Sequence, residues 1–315
     1  ANCQPTDQRG VARPQDGDLN GVALCDIGAY ELVPGQSFTI TLSVQGSGTV
    51  SPGPGAYTFL AGASTNFAAT PAQGNVFLGW TVDGVFVGFG SPLAMPVTKN
   101  RTVVATFAPI QNFCDVSASD PNYEAIVNFS ARNVARGYGD GCFHPNDLVI
   151  RAQAAGFITR ALGLNTQSHG SPYPDRCDPA NPTDCVDNEL WNDVGVLTFY
   201  DIARGYPDKT FRPRADVLHA QVVSFVTRGF TSLNYWQAAT QDNPSIYPNV
   251  PAESGHRLDL ITYVNNTQAT GGIPDRPANQ NWADWNTPAT RGWFVEVLWR
   301  AYKAYWSTNH FDRLP

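Results

Sequence analysis

The sequence predicts a multidomain chain, in which an all-β N-terminal module precedes an all-α, pseudo-threefold bundle of three related modules. Two observations carry that expectation. The segment ARGYGDGCFHPNDLVIRAQAAGFITRAL from Ala135 returns 68 residues later as ARGYPDKTFRPRADVLHAQVVSFVTRGF from Ala203, and TRGWFVEVLWRAY from Thr290 repeats its helical part a third time. Ahead of these copies, FTITLSV from Phe38 alternates apolar and polar residues with the period of a half-buried strand.

The repeated segment reads as helix, loop, helix. Ala125, Ile126 and Phe129 recur at helical spacing after Pro121, with Gly137 as the expected C-cap. Tyr138 to Asp147 carries loop chemistry, and Ala152, Ala155, Phe157, Ile158 and Leu162 rebuild an apolar stripe. Neither helix can hide its stripe alone, so the stripes are expected to pack between copies. Further strands are expected around Phe67, Ala69, Trp80, Val82, Val85, Val103, Ala105 and Phe107. The expected divisions are 1–35, a possible assembly strand; 36–109, the β module; and the three copies at 110–166, 167–235 and 236–315.

Composition narrows the function. With 42% apolar and 12% aromatic residues the chain can bury several cores, and its length of 315 residues suits more than one domain. A net charge of -7 supplies no basic field for a phosphate backbone, so nucleic acid is excluded as an expected partner. No apolar run is long enough for a bilayer-spanning helix, and membrane insertion is not expected. The chain opens in mid-motif at Ala1-Asn2-Cys3, as a processed product or an excerpt would.

Six cysteines fall in local couples, Cys3 with Cys25, Cys114 with Cys142, and Cys177 with Cys185. Without a CxxC and with the histidines scattered, disulfides in an oxidising compartment are expected, and no metal. No GxSxG, HExxH or Walker loop occurs, so no enzyme and no cofactor are expected. Asp16 to Gly21 begins like a calcium loop but places Ile27 where the bidentate Glu belongs, and is read as a polar turn. Asp175 to Asp193 is read as a solvated acidic loop around a disulfide.

The ARGYGDGxFxP loop, the helix opening in VIRAQ and the Phe113-Cys114-Asp115-Val116 start resemble the S-layer-homology family, over about two thirds of the chain. GSGTVSPGPGAY, FAATPAQGNVFLGW and TVVATF look like the divergent internalin-type B-repeat family, and TDQRGVARP with CDIGAYEL is similar to the closing segment of β-helix surface proteins. The first resemblance implies a secreted, non-catalytic cell-surface protein anchored to cell-wall polysaccharide. A pyruvylated polymer would lie in grooves between modules, its carboxylate on the motif arginine. The corresponding positions are Arg151, His219 and Arg291, with Gly137, Tyr138, Gly205 and Tyr206 beside them. A guanidinium fork at a helix N-terminus suits such an acid. The competing role is a hydrogen bond from each arginine to a neighbouring module's carbonyls.

This chain departs from the family pattern. Ile150 and Leu218 stand where a capping Thr is expected, and Gln153, Gln221 and Trp293 where Glu is, so no copy keeps a reciprocal capping box. The third copy is expected to lack the Phe-x-Pro anchor of its loop. These losses keep a second function in view, a homo-oligomer or polymer forming a surface layer, sheath or filament.

Overall fold

The computed structural model describes residues 3–16, 22–25, 33, 35–166, 169–178 and 180–314. The chain divides into two compact units, 1–109 with 306–315, and 110–305. The final ten residues, which the repeat would assign to the third copy, therefore fold with the β module, and the helical unit stops at Tyr305.

In the first unit, β1 (Ser37–Gln45), β2 (Gly48–Ser51), β3 (Gly55–Leu60), β4 (Ser64–Pro71), β5 (Asn75–Val82), β6 (Val85–Gly88), β7 (Leu93–Pro96) and β8 (Arg101–Pro109) form two sheets. One has the order β3-β1-β8-β5-β6, with β1 and β8 parallel, and the other the order β2-β4-β7. Their inward residues alternate, and Ile40, Leu42, Phe67, Trp80, Val103 and Phe107 share one core. The buried Trp80 indole donates to Gly90 O at 3.1 Å.

Strand β6 would present unpaired main-chain groups at its edge. The C-terminal tail takes them: Phe89 N donates to Trp306 O at 2.9 Å and His310 N to Val87 O at 2.7 Å. Phe86 meets the Trp306 ring at 4.8 Å, and Phe311 and Leu314 join the core. Glycine at 88 makes this approach possible, because a Cβ there would stand 2.5 Å from Thr308 O and 2.8 Å from Trp306 O.

The segment expected to act as an assembly strand is represented by Cys3–Cys25, two isolated bridges, Thr6 with Ala12 and Gln15 with Leu24, and an Asp7–Arg9 pair. Most of CDIGAYEL and of the Asp16 to Gly21 turn lies outside the described residues.

The second unit holds α1 (Tyr123–Ala131), α2 (Arg151–Leu162), α3 (Asn188–Phe199), α4 (His219–Ser232), α5 (Arg257–Thr267) and α6 (Arg291–Trp306, its last residue already in the tail). It is not purely helical, since β9 (Cys177–Asp178) and β10 (Asn181–Cys185) form a hairpin closed by Cys177–Cys185. The supposed acidic loop ends at Asp187, whose carboxylate caps α3 by accepting from Glu189 N at 2.7 Å. Thus Glu189 and Asp193 stand on a helix.

Helix α1 ends at Ala131, well before Gly137, and Asn133 supplies the left-handed residue at φ 57°. Gly137 is small for a different reason: a Cβ would come within 2.3 Å of the Phe113 ring. Gly205 meets Tyr173 in the same way. Apolar stripes pack helix to helix, Phe129 against Trp299 at 5.3 Å and Phe157 against Phe294 at 5.4 Å.

Replacing Gly88 by Ala should expel the tail from β6. Urea unfolding of the β module is expected to lose about 1–3 kcal/mol, and limited trypsin digestion should cut at Arg313 faster than in the wild type.

Candidate functional site

Three stretches ahead of the second, fourth and sixth helices hydrogen-bond in a closed ring. Val149 N donates to Ala289 O at 3.0 Å, Ala289 N to Val217 O at 2.9 Å, and Val217 N to Val149 O at 2.9 Å. Each helix start is then completed by the next stretch. Arg151 N and Ala152 N donate to Ala215 O and Pro213 O, His219 N and Ala220 N to Thr287 O and Trp285 O, and Arg291 N and Gly292 N to Asp147 O and Pro145 O. The first two amides of α2 and of α4, which no helix can bond internally, are therefore met by main-chain carbonyls.

Half of the side-chain box also survives. Gln153 Oε1 accepts from Ile150 N at 3.3 Å and Gln221 Oε1 from Leu218 N at 3.2 Å, while Thr290 Oγ1 accepts from Trp293 N at 3.3 Å. Ile150 and Leu218 have no polar atom to return the bond.

The motif side chains obey the same cyclic rule. Arg151, 3% exposed, donates through Nε to Phe211 O at 2.9 Å and through Nη2 to Arg204 O at 3.1 Å. Arg291, also 3% exposed, donates to Phe143 O and Arg136 O, both at 3.2 Å. His219 Nδ1 lies 3.0 Å from Thr287 O, and a carbonyl can only accept, so this nitrogen carries the hydrogen. Burial lowers the His219 pKa, and Trp293 meets its ring at 4.3 Å.

The aromatic partners differ between copies. Two guanidinium groups, Arg151 at 5.0 Å and Arg212 at 4.0 Å, lie over the half-buried Tyr206 ring. Tyr138 has Arg291 at 4.6 Å and the edge of His144 at 5.1 Å, and is 42% exposed. Its hydroxyl accepts from Gln153 Nε2 at 3.1 Å. A groove of about 100 Å³ opens beside it, bounded by Arg136, Gln153, Arg160 and Arg291. Sequence reasoning named Arg291, Gly137 and Tyr138, and the structure brings them together; it left Arg136 and Arg160 outside the site.

A second set of anchors escaped the sequence reading. Asp115 accepts from Phe143 N at 2.8 Å and His144 N at 2.7 Å, Asp175 from Phe211 N at 3.0 Å and Arg212 N at 2.7 Å, and Asn249 from Trp282 N at 2.7 Å. Phe113-Cys-Asp115, Tyr173-Pro-Asp175 and Tyr247-Pro-Asn249 are the signal that could have located them. They also correct the third copy: the fully buried Trp282 takes the place of the missing Phe anchor. The disulfides pair as expected, and Cys114–Cys142 ties the Asp115 turn to its loop.

The arginines late in the second helix of each copy meet different partners. Arg228 Nε reaches Asp259 at 2.9 Å, and Arg300 Nε reaches Glu296 at 2.7 Å. Arg160 Nε instead donates to Val134 O at 2.9 Å and leaves Asp193 at 3.7 Å. Beside Asp259, Ser224 Oγ bonds His256 Nδ1 at 2.8 Å, and burial lowers the His256 pKa to about 4.

Residues 38–111 match the divergent InlB B-repeat domain, and 112–155 match the S-layer homology domain. The chain is 26% identical over 166 residues to a surface layer protein of Brevibacillus choshinensis, a stretch that is 51% of this chain and 14% of that protein. It is 25% identical over 153 residues to a middle cell wall protein of Brevibacillus brevis, covering 48% of this chain and 14% of the relative. Cell surface glycoprotein 1 of Acetivibrio thermocellus is 31% identical over 106 residues, 32% of this chain and 4% of that one. The chain thus spans a small part of the length of these relatives.

Arg151→Ala should destabilise the helical unit by about 2–3 kcal/mol, since Phe211 O and Arg204 O lose a buried charged donor; urea midpoints at constant m measure this. The folded pKa of His256 lies below its unfolded value, so its contribution is complete above about pH 6.5 and is lost as pH falls toward about 4. Across that window His256→Asn should flatten the decline in urea midpoint.

Proposed function

We propose that this is a non-catalytic protein of the cell surface, held on cell-wall polysaccharide by three S-layer-homology modules at 110–166, 167–235 and 236–305. A secreted, cell-surface location follows from the matched domain and from relatives named as surface layer, cell wall and cell surface proteins. What supports three modules, beyond the matched 112–155, is the cyclic bonding of Val149, Val217 and Ala289 and the thrice-used Asp115, Asp175 and Asn249 turn.

The observation that carries the anchoring role is the open Tyr138 ring, with Arg136, Arg160 and Arg291 lining its groove. An exposed aromatic face packs on a sugar ring, and the guanidinium groups of Arg136 and Arg160 at its rim take an acid substituent, while the buried Arg291 holds the loop beneath. Tyr206 is covered by Arg151 and Arg212, and His219 is enclosed by Trp293, so those two positions support the bundle instead of a glycan.

That only one of the three positions stays open also favours a second role, a self-assembling subunit of a surface layer, sheath or filament. Concentration-dependent sedimentation and electron microscopy test it, a strictly monomeric profile counting against assembly.

For anchoring, purified cell-wall polysaccharide is incubated with the full chain and pelleted. Tyr138→Ala should reduce retention about tenfold and Tyr206→Ala less than about twofold. Equal losses in the two variants, or no retention of the wild type, would reject this groove.

A further inference from the structure

The five-stranded sheet has two edges, β6 and β3. The C-terminal tail lies along β6, whereas the outer side of β3 meets no main-chain partner among the described residues. Edges left bare are usually short, or blunted by charge or proline. The edges of the other sheet follow that rule, since β2 and β7 are four residues long and Pro52 and Pro96 stand at their ends. Strand β3 breaks it. Its run from Gly55 to Leu60 spans six residues without a charge or a proline, and Leu60 is 46% exposed.

Which groups of β3 point outward follows from its register on β1, where Ser37 pairs with Leu60, Thr39 with Thr58 and Thr41 with Ala56. Ala61 N donates to Gln36 O at 2.8 Å, in step with this register, and Thr39 N turns away from β3 to Asn100 Oδ1 at 2.8 Å. Bonded and non-bonded pairs alternate along an antiparallel ladder. Tyr57 and Phe59 therefore spend their main-chain groups on β1, and Ala56, Thr58 and Leu60 aim theirs outward. The side chains of those same three residues are exposed, while the Tyr57 and Phe59 rings pack on the core. Leu60 O receives one bond, from Ala63 N at 3.2 Å, and a carbonyl has a second lone pair.

This pattern is complementary to itself. With a two-fold axis at Thr58, a second β3 runs antiparallel and sets Thr58 against Thr58, and Ala56 of each copy against Leu60 of the other. Every outward N–H then meets an outward C=O, the exposed residues share one face, and each Tyr57 stands opposite a Phe59 on the core face. A shift by one residue would set exposed side chains opposite core-facing ones. The chain carries a net charge of -7, so two copies repel least where neither bears a charge, and β3 is such a place. We propose that β3 is a self-pairing edge, through which two copies of this chain join their five-stranded sheets into one continuous sheet. A six-residue seam buries less than a standard stable interface, so the pair forms only at high local concentration. A two-fold contact closes on itself, and as one seam of a larger array it rests on the assembly reading.

Sedimentation of the full chain between about 10 μM and 1 mM should show the average mass rising from monomer toward dimer. Over the same range, hydrogen exchange at the Ala56, Thr58 and Leu60 amides should slow about fivefold while Tyr57 and Phe59 stay unchanged, a readout that needs no variant. Thr58→Pro removes an outward donor without touching a bond to β1. It should weaken pairing more than about tenfold and leave the urea midpoint of the β module in place. A monomer throughout that range, protection at other amides, or a Thr58→Pro chain that pairs as the wild type does would overturn the seam. Filaments seen by electron microscopy while these amides exchange freely overturn the seam and leave assembly standing; a wild type that stops at a dimer with these amides protected keeps the seam and removes the polymer.

Discussion

The helical unit depends on a shortage of caps. Helices α2, α4 and α6 begin with main-chain amides that no helix can bond internally, and α2 and α4 begin after Ile150 and Leu218, which have nothing to offer them. Each shortage is met by carbonyls of the following stretch, and α6, the last of the three, closes the ring on the first stretch at Asp147 O and Pro145 O. A buried main-chain donor left unmatched costs about 1–3 kcal/mol, so six such donors in a ring outweigh any single surface ion pair in this unit.

The same ring decides what the motif arginines are available for. A guanidinium at a helix start is an attractive anion site only while the nearby amides and its own donors are open. Here those amides are bonded to neighbouring carbonyls, and Arg151 and Arg291 each spend Nε and Nη2 on the loop of another copy. The difference between copies comes from smaller changes. Arg212 covers Tyr206, while its counterpart His144 turns an edge to Tyr138 and pairs with Asp140 at 2.7 Å.

Much of the architecture was legible because periodicity survives divergence. Alternation found the β module, and the Ala135 and Ala203 copies located α2 and α4. What could not be read was any contact made by substitution of shape for identity. Trp282 in the place of Phe143 looks like a deletion in sequence, and Asn249 for Asp115 hides the third turn until its hydrogen bond to Trp282 is seen. The C-cap was misplaced because Gly137 serves a close approach to Phe113 and not a left-handed turn. The destination of the tail on β6 rests largely on main-chain bonds and on the close approach allowed by Gly88 and Gly90, none of which shows as a repeat or a period in the sequence. In the candidate site Tyr138 and Arg291 were found by motif, but the place of Arg160 at the groove depends on where its side chain turns, which no spacing encodes.

The closed ring also imposes an order on biogenesis. Val149 finds its acceptor at Ala289, and Phe143 and Arg136 receive their buried donor only from Arg291. Until the sixth helix is in place, the amide of Val149 and the carbonyls of Phe143 and Arg136 are without these partners, so the first two copies cannot close their seams before the chain has reached Arg291.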